Sequence, residues 1–405
     1  MRRFVATKVK IFATNLSNFD TKNLCVMEKT IVHCDLDTFF VSVERLLNSD
    51  LIGKPVLIGG SSDRGVVASC SYEARKFGVH SAMPMRLARQ LCPDAVLVRG
   101  DHDLYSKYSN IVTEIIEEKI PVVEKASIDE HYLDMTGMDK FFGTWRLTQE
   151  LRQRIIKETG LPISFGLSVN KTVSKIATGE AKPCGERKVD GGMEKPFLAP
   201  LSIRKLPGIG EKTYPLLRNM GISHIYTLQQ MNVFTMRQVL GENGVTIWNK
   251  ANGIDKSAVV PFHQQKSMSK EHTFEQDTID MELLRRLMLS MVDELAFDLR
   301  KDGKLTSCVT VKIRYSNFDT NTTQAKLSFT ASERVISQKV LQLFDKLYSR
   351  RMLIRLVGVK FSNLIAGSYQ ADLFDDTLED MNLSKAMDKI RMRYGHNSVI
   401  RGFAL

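Results

Sequence analysis

TIVHCDLDTFFVSVERLLN, residues 30–48, decides the fold class. Thr30–Cys34 is an apolar run with the length of a buried strand, and it ends at Asp35. From Asp37 onward the apolar residues recur at helical spacing, so the stretch predicts a strand, a tight turn and a helix. An acid therefore stands at a strand end, with a second one two residues later in the D-x-D of Asp35 and Asp37.

A related arrangement lies further along. ASIDEHYLD, residues 126–134, puts Asp129 beside Glu130 in otherwise apolar surroundings. Adjacent anions repel, and burying them is costly unless a cation joins them. No Lys or Arg lies between Ala126 and Asp134, so the compensating charge comes from elsewhere in the fold or from metal ions. A strand end and a nearby hairpin edge can converge, which would bring Asp35, Asp129 and Glu130 around one small volume. Three such carboxylates suit two divalent cations about 4 Å apart, the arrangement that serves phosphoryl transfer. Hard oxygen ligands favour Mg²⁺. Any one of these acids alone is explained as a turn cap or the partner of a distant arginine. The combination favours metal.

The surrounding chain alternates strands with helices. KPVLIGG (54–60), GVVASCS (65–71) and ISFGLSVN (163–170) predict strands, while DLYSKYSNIVTEIIEEKI (103–120), RLTQELRQRIIKETG and KTVSKIATGEAKP predict helices. Residues up to about 190 thus form one α+β body. Short helices fill about 200–258, and 259–270 lack periodicity and are expected to be a linker. A second α+β unit follows, with a helix near 280–300, strands near 305–318 and 323–330, another helix, and a strand near 354–364. The end is polar and then helical.

Four motifs carry candidate chemistry. In SYEARKFGVHSAMP, Tyr72, Arg75 and Lys76 share a helix face after a Ser71 N-cap, a phosphate grip or an ordinary basic turn. In NKTVSKIATGEAKPCG, Lys171 and Lys175 stand one turn apart near a helix start, which suits a phosphate. In KLPGIGEKTYPLLRNMG, Gly208 and Gly210 flank Ile209 before a helix, as in a helix–hairpin–helix DNA-binding element or a plain packing corner. In SCVTVKIRYS, Val309, Val311, Ile313 and Tyr315 alternate with Thr310, Lys312, Arg314 and Ser316, and TQAKLSFT adds Lys326 on the polar side. That is a sheet with a core face and a basic face able to track a nucleic-acid backbone.

Composition agrees. The 405 residues suggest two to four domains, and the net charge of +11 favours a polyanionic partner. No apolar run is long enough to span a bilayer. Six cysteines, none in a C-x-x-C pair, argue against zinc and suit a reducing cytoplasm, the expected location. The opening MRRFVATKVKIFATNL is basic but broken by Thr, Lys and Asn, a poor signal peptide, and Met27 is the expected start of the folded chain.

In order, VHCDLDTFFVSVE, SYEARKFGVHSAMP, SIDEHYLD, GLSVNKTVSKIATGEAKPCG, LPGIG and KSMSKEHTF resemble the motifs of the Y-family DNA polymerases, most closely the DinB-type branch. The likeness runs along almost the whole chain from about residue 28. It implies an α+β multidomain right-hand fold: palm (28–38 and 102–190), fingers (39–101), helical thumb (191–258), linker (259–270), little finger (271–366) and a tail (367–405) behind an N-terminal extension (1–27). It implies that Asp35, Asp129 and Glu130, with the Leu36 carbonyl, bind two Mg²⁺ ions. Phe40 would be the steric gate against a ribose 2′-OH, with Phe39 behind it, and Tyr72, Arg75 and Lys175 would hold the triphosphate of a dNTP. The implied enzyme is a low-fidelity, template-directed translesion DNA polymerase without proofreading, working on primer–template DNA and expected to be a monomer.

Where many relatives have a small residue after the Asp–Glu pair, this chain has His131. In an alternating strand it points away from Glu130, so a packing role is expected. QADLF, residues 370–374, resembles the short motif by which bacterial polymerases bind the sliding clamp, with Gln370 in a polar niche and Leu373 and Phe374 in an apolar pocket. The helical segment beyond it packs on the body or on a partner. Two rivals remain: a catalytically silent DNA-binding accessory protein of the same fold, which retention of the acids opposes, and a nucleotidyl cyclase, which the DNA-binding elements oppose.

Overall fold

The computed structural model describes residues 29–138, 143–262, 264–367 and 378–400. Two compact units divide after Phe262. In the first, β1 (Ile31–Leu36) leads into the helix Phe39–Leu47 through Thr38, whose φ of 44° is left-handed and strained for a β-branched residue. Next come β2 (Val56–Gly59), β3 (Val67–Cys70) and β4 (Val96–Val98), which form a small sheet in the order β3-β2-β4. Then β5 (Val123–Lys125), β6 (Glu130–Asp134), β7 (Ile163–Ser168) and β8 (Glu186–Lys188) join β1 in a five-stranded sheet ordered β5-β6-β1-β7-β8.

The apolar run of β1 earns its central place. Val32, Cys34 and Leu36 are buried with Phe39, Val41, Ile116, Leu133, Ile155 and Phe165 in one core. Helices Thr144–Thr159 and Lys171–Ala181 pack on this sheet. Gly166 of β7 makes the second approach possible: a Cβ there would lie 2.4 Å from the Ser174 carbonyl oxygen. The helix carrying Lys171 and Lys175 is thereby seated directly over the strand beside β1. Asn170 caps it, accepting from the Val173 N–H at 3.0 Å, and Ser71, as expected, caps Tyr72–Arg75, accepting from Ala74 at 3.3 Å. Short helices follow from Thr213 to Ala251, among them Thr213–Asn219 just after LPGIG, where Gly208 takes φ 105°.

The second unit contains β9 (Ser267–Thr278), β10 (Lys304–Tyr315), β11 (Thr320–Thr330) and β12 (Ile354–Ala366) in the order β11-β10-β12-β9. Helices Met281–Lys301 and Glu333–Leu347 cover one face. Strand β9 corrects the linker expected at 259–270. Its last residues belong to this edge strand, which buries only Phe274 and so shows no apolar alternation. The linker's start is also structured: Val259 is buried against Ile31 and Tyr132, and the Val260 N–H bonds to Glu124 at 2.7 Å.

Of the two placements expected for the helical segment of the tail, the structure shows packing on the body: helix Leu378–Tyr394 belongs to the second unit and is held to it by two arginine–aspartate pairs. Arg391 holds the buried Asp293 with both guanidinium ends, at 2.8 and 2.7 Å, and Arg300 holds Asp388 at 2.6 and 2.8 Å. Residues 1–27 and the motif Gln370–Phe374 lie outside the described residues. No helix among the described residues is long and apolar enough to cross a membrane.

Candidate active site

The register of β1 against β6 places Asp35 opposite Glu130, and the Leu36 N–H bonds to the Asp129 carbonyl at 3.0 Å. The strand end and the hairpin edge therefore meet as the sequence anticipates. Burial, followed by the fields of Asp129 and Glu130, raises the Asp35 carboxyl to about 6, against the opposing pull of Lys182. Glu130 is held well below the usual carboxylate range by His33, 3.8 Å away, and by Lys175, whose ammonium lies 2.5 Å from both carboxylate oxygens. Asp129 accepts from the Ser127 hydroxyl at 2.5 Å.

The compensating cations thus come from one helix and the turn after it. Lys175 joins Glu130, and Lys182, one residue beyond the helix end, joins Asp35. Lys182 was missed because the turn that brings it back to β1 has no periodic signal; its place in AKPCG directly after the helix was the available clue. Lys171, paired with Lys175 in the sequence reading, turns elsewhere. It binds Glu124 at 2.7 Å and lies over the Tyr132 ring, 4.5 Å from its centroid. As placed, among the described residues no three of His, Cys, Asp and Glu gather as a metal-binding cluster. The donor set nevertheless fits a hard divalent ion: Asp35, Asp129 and Glu130 offer carboxylate oxygens at one strand end, and burial, with smaller contributions from Asp129 and Glu130, raises Asp35.

A pocket of about 180 Å³ opens beside these acids, lined by Asp35, Leu36, Phe39, Phe40, Arg75, Asp129 and Lys182 among others. Phe39 is buried in the core, whereas Phe40 is half-buried and stacks on Tyr105 at 4.2 Å with 13° between the rings. Tyr105, itself tied to Glu44 at 2.6 Å, fixes the plane that Phe40 presents and was not anticipated. Arg75 lies 5.0 Å from the Tyr72 ring centroid, and the Tyr72 hydroxyl donates to Asp37 at 3.2 Å. Lys175 and Tyr72 do not line this pocket.

His131 is fully buried, bonds through Nε2 to the Thr113 hydroxyl at 2.9 Å, and is pushed down to about 4 by burial. It packs on the far face of β6, as the alternation predicts. The residue beside Glu130 is instead His33, equally buried, whose Nδ1 lies 2.9 Å from the Thr178 hydroxyl. The same hydroxyl lies 2.9 Å from the His33 and Ser174 carbonyl oxygens, one of which takes its single proton.

In the second unit, Val309, Val311, Ile313 and Tyr315 are fully buried, and Lys312 and Arg314 lie on the face without helices. Lys326 is exposed on β11, and Lys360 of β12, opposite Thr310, adds a cation the sequence reading did not count. Edge strand β9 supplies an acid to this face: Glu271 pairs with Lys312 across Gly358, where a Cβ would come within 2.7 Å of the Glu271 side chain. Arg314 donates to Thr320 at 2.9 Å.

The comparisons agree with this geometry. The impB/mucB/samB family matches residues 34–179, its C-terminal domain residues 265–373, and the HHH motif of the IMS family residues 192–222. A DNA polymerase IV of Dehalococcoides mccartyi is 39% identical over 92% of this chain and 97% of its own length. One of Treponema denticola is 34% identical over 91% of this chain and 95% of its own. The solved structure of a Y-family DNA polymerase chimera, Dbh-Dpo4(243-245)-Dbh, superposes with a TM-score of 0.75 at 26% identity, covering 84% of this chain and all of that one. The identity and coverage, with the acids, pocket and basic sheet in their expected order, mean that the chain belongs to the Y-family DNA polymerases, on the DinB-type, DNA polymerase IV branch.

Proposed function

We propose that this DNA-directed DNA polymerase performs translesion synthesis, adding dNTPs to a primer 3′-OH with low fidelity, by two-metal-ion catalysis and without proofreading. The observation that carries the reading is the register pairing of Asp35 with Glu130 beside a pocket that also contains Phe40, Arg75 and Lys182. The primer hydroxyl oxygen attacks the α-phosphorus, the bond to the bridging oxygen breaks, and pyrophosphate leaves. Asp35, Asp129, Glu130 and the Leu36 carbonyl would hold two Mg²⁺ ions, which when bound would supply activation of the hydroxyl and neutralisation of phosphate charge. Arg75 and Lys182 contact the triphosphate, supported by Tyr72 and Lys175. Phe40, braced by Tyr105, excludes a ribose 2′-OH.

In this reading residues 28–38 and 102–190 are the palm, 39–101 the fingers, and 191–258 the thumb, whose Gly208 and Gly210 approach the DNA backbone. The little finger tracks the duplex with Lys312, Arg314 and Lys326. The protein works in the cytoplasm as a monomer, and Gln370, Leu373 and Phe374 dock on the sliding clamp. Deleting 370–374 lowers clamp-stimulated synthesis and spares basal synthesis; loss of both, or of neither, removes the clamp assignment.

The decisive test is primer extension with dNTPs and Mg²⁺, comparing intact protein with Glu130→Ala. Expected is a loss of about a thousandfold or more with DNA binding retained. No extension by folded intact protein would instead make it an accessory DNA-binding protein.

A further inference from the structure

Asp37 is the second acid of the D-x-D, and neither the metal site nor the nucleotide contacts use it. It is 1% exposed. A carboxyl group that deep needs hydrogen-bond partners, and three donors converge on it. The Tyr72 hydroxyl donates to Oδ1 at 3.2 Å. The Ser164 hydroxyl donates to Oδ2 at 2.7 Å, and the Cys184 N–H donates to the same oxygen at 2.6 Å. Lys182 stands 3.9 Å from Oδ1. Asp37 does not line the pocket that Asp35 lines, and with both oxygens engaged it is poorly placed as a metal ligand.

The donors come from parts of the chain that are otherwise separate. Tyr72 begins the short helix that carries Arg75. Cys184 sits in the turn after Lys182 at φ 48°, a left-handed conformation that a hydrogen bond to a charged acceptor helps to hold. Ser164 reinforces the same turn, accepting from the Gly185 N–H at 3.1 Å. One carboxylate therefore ties the element bearing Arg75 to the turn bearing Lys182, and both of those cations line the pocket. Burial and Asp37 together raise the Tyr72 phenol above its ordinary range, so it stays a donor.

We infer that Asp37 is a positioning residue for the incoming nucleotide, setting the span between Arg75 and Lys182 so that both reach one triphosphate. The inference rests on the polymerase reading, so intact protein must first extend a primer; its failure there would count against that reading alone.

The test is single-nucleotide incorporation by Asp37→Asn on a primer–template. An Asn keeps the shape but presents an N–H₂ where one donor now points. Expected is a rise of about tenfold or more in KM for dNTP, the weight of a hydrogen bond to a charged group, with kcat within about threefold. In Ca²⁺, dNTP should stabilise the variant–DNA complex against heat less than it stabilises intact protein. Mn²⁺ binding without nucleotide should be unchanged. Combining Asp37→Asn with Tyr72→Phe should cost less than the product of the two single effects, because they share a bond. An unchanged KM, or a fall in kcat alone, would overturn the inference, and weakened Mn²⁺ binding would make Asp37 a ligand instead. Should Asp37→Asn fail to fold, Ser164→Ala carries the test: KM up about threefold with kcat held supports it, and an unchanged KM overturns it.

Discussion

The five-stranded sheet gathers partly buried anions at a strand end beside a pocket, and the four-stranded sheet spreads cations over a face without helices. In the first, each acid has assigned partners: Lys182 for Asp35, Lys175 for Glu130, three donors for Asp37. In the second, Lys326 and Lys360 are exposed, and Lys312 is drawn to an acid, Glu271. The difference teaches that burial decides what a charge does. A buried charge must be matched group by group and so fixes geometry. An exposed one contributes to a field that salt screens and that tolerates substitution.

If burial rather than location decides, a buried pair in the second unit must behave like those in the first. Arg391→Ala leaves Asp293 buried without its bidentate partner and should destabilise that unit by about 3–5 kcal/mol in denaturant unfolding. A loss under about 1 kcal/mol would break the comparison. Phe40→Ala removes a ring rather than a charge. It should raise ribonucleotide incorporation relative to deoxyribonucleotide by about a hundredfold in competition assays, while DNA affinity stays the same. The remaining two substitutions probe the open face. Glu271→Gln releases Lys312 and should tighten DNA binding by about 1 kcal/mol at low salt, an advantage that fades as salt rises. Lys326→Ala should weaken binding least, by about 1 kcal/mol or less, and reduce the magnitude of the salt slope by about one in a log–log titration. An unchanged slope would take Lys326 out of the DNA-binding face.

The β1 strand and its turn were legible because an apolar run ending in acids is a local signal, and so were the alternation of β10 and the cap at Ser71. Edge strand β9 was not, because a strand that buries one side chain has no pattern to display. Lys182 escaped notice because its approach to Asp35 follows from a turn, and Lys171 misled because its spacing matched Lys175 while its side chain turned to Glu124.

The sequence by itself determined the positions of the acids and of the basic strand and their order along the chain, because local periodicity and residue chemistry suffice for those, whereas Phe40 was singled out only by the family resemblance. The tertiary structure alone decided which lysine meets which acid, that His33 rather than His131 stands beside Glu130, and that Asp37 joins Tyr72 to Cys184. These contacts link residues far apart in the chain, and strand register, helix seating over Gly166 and turn geometry set them, none of which local pattern encodes.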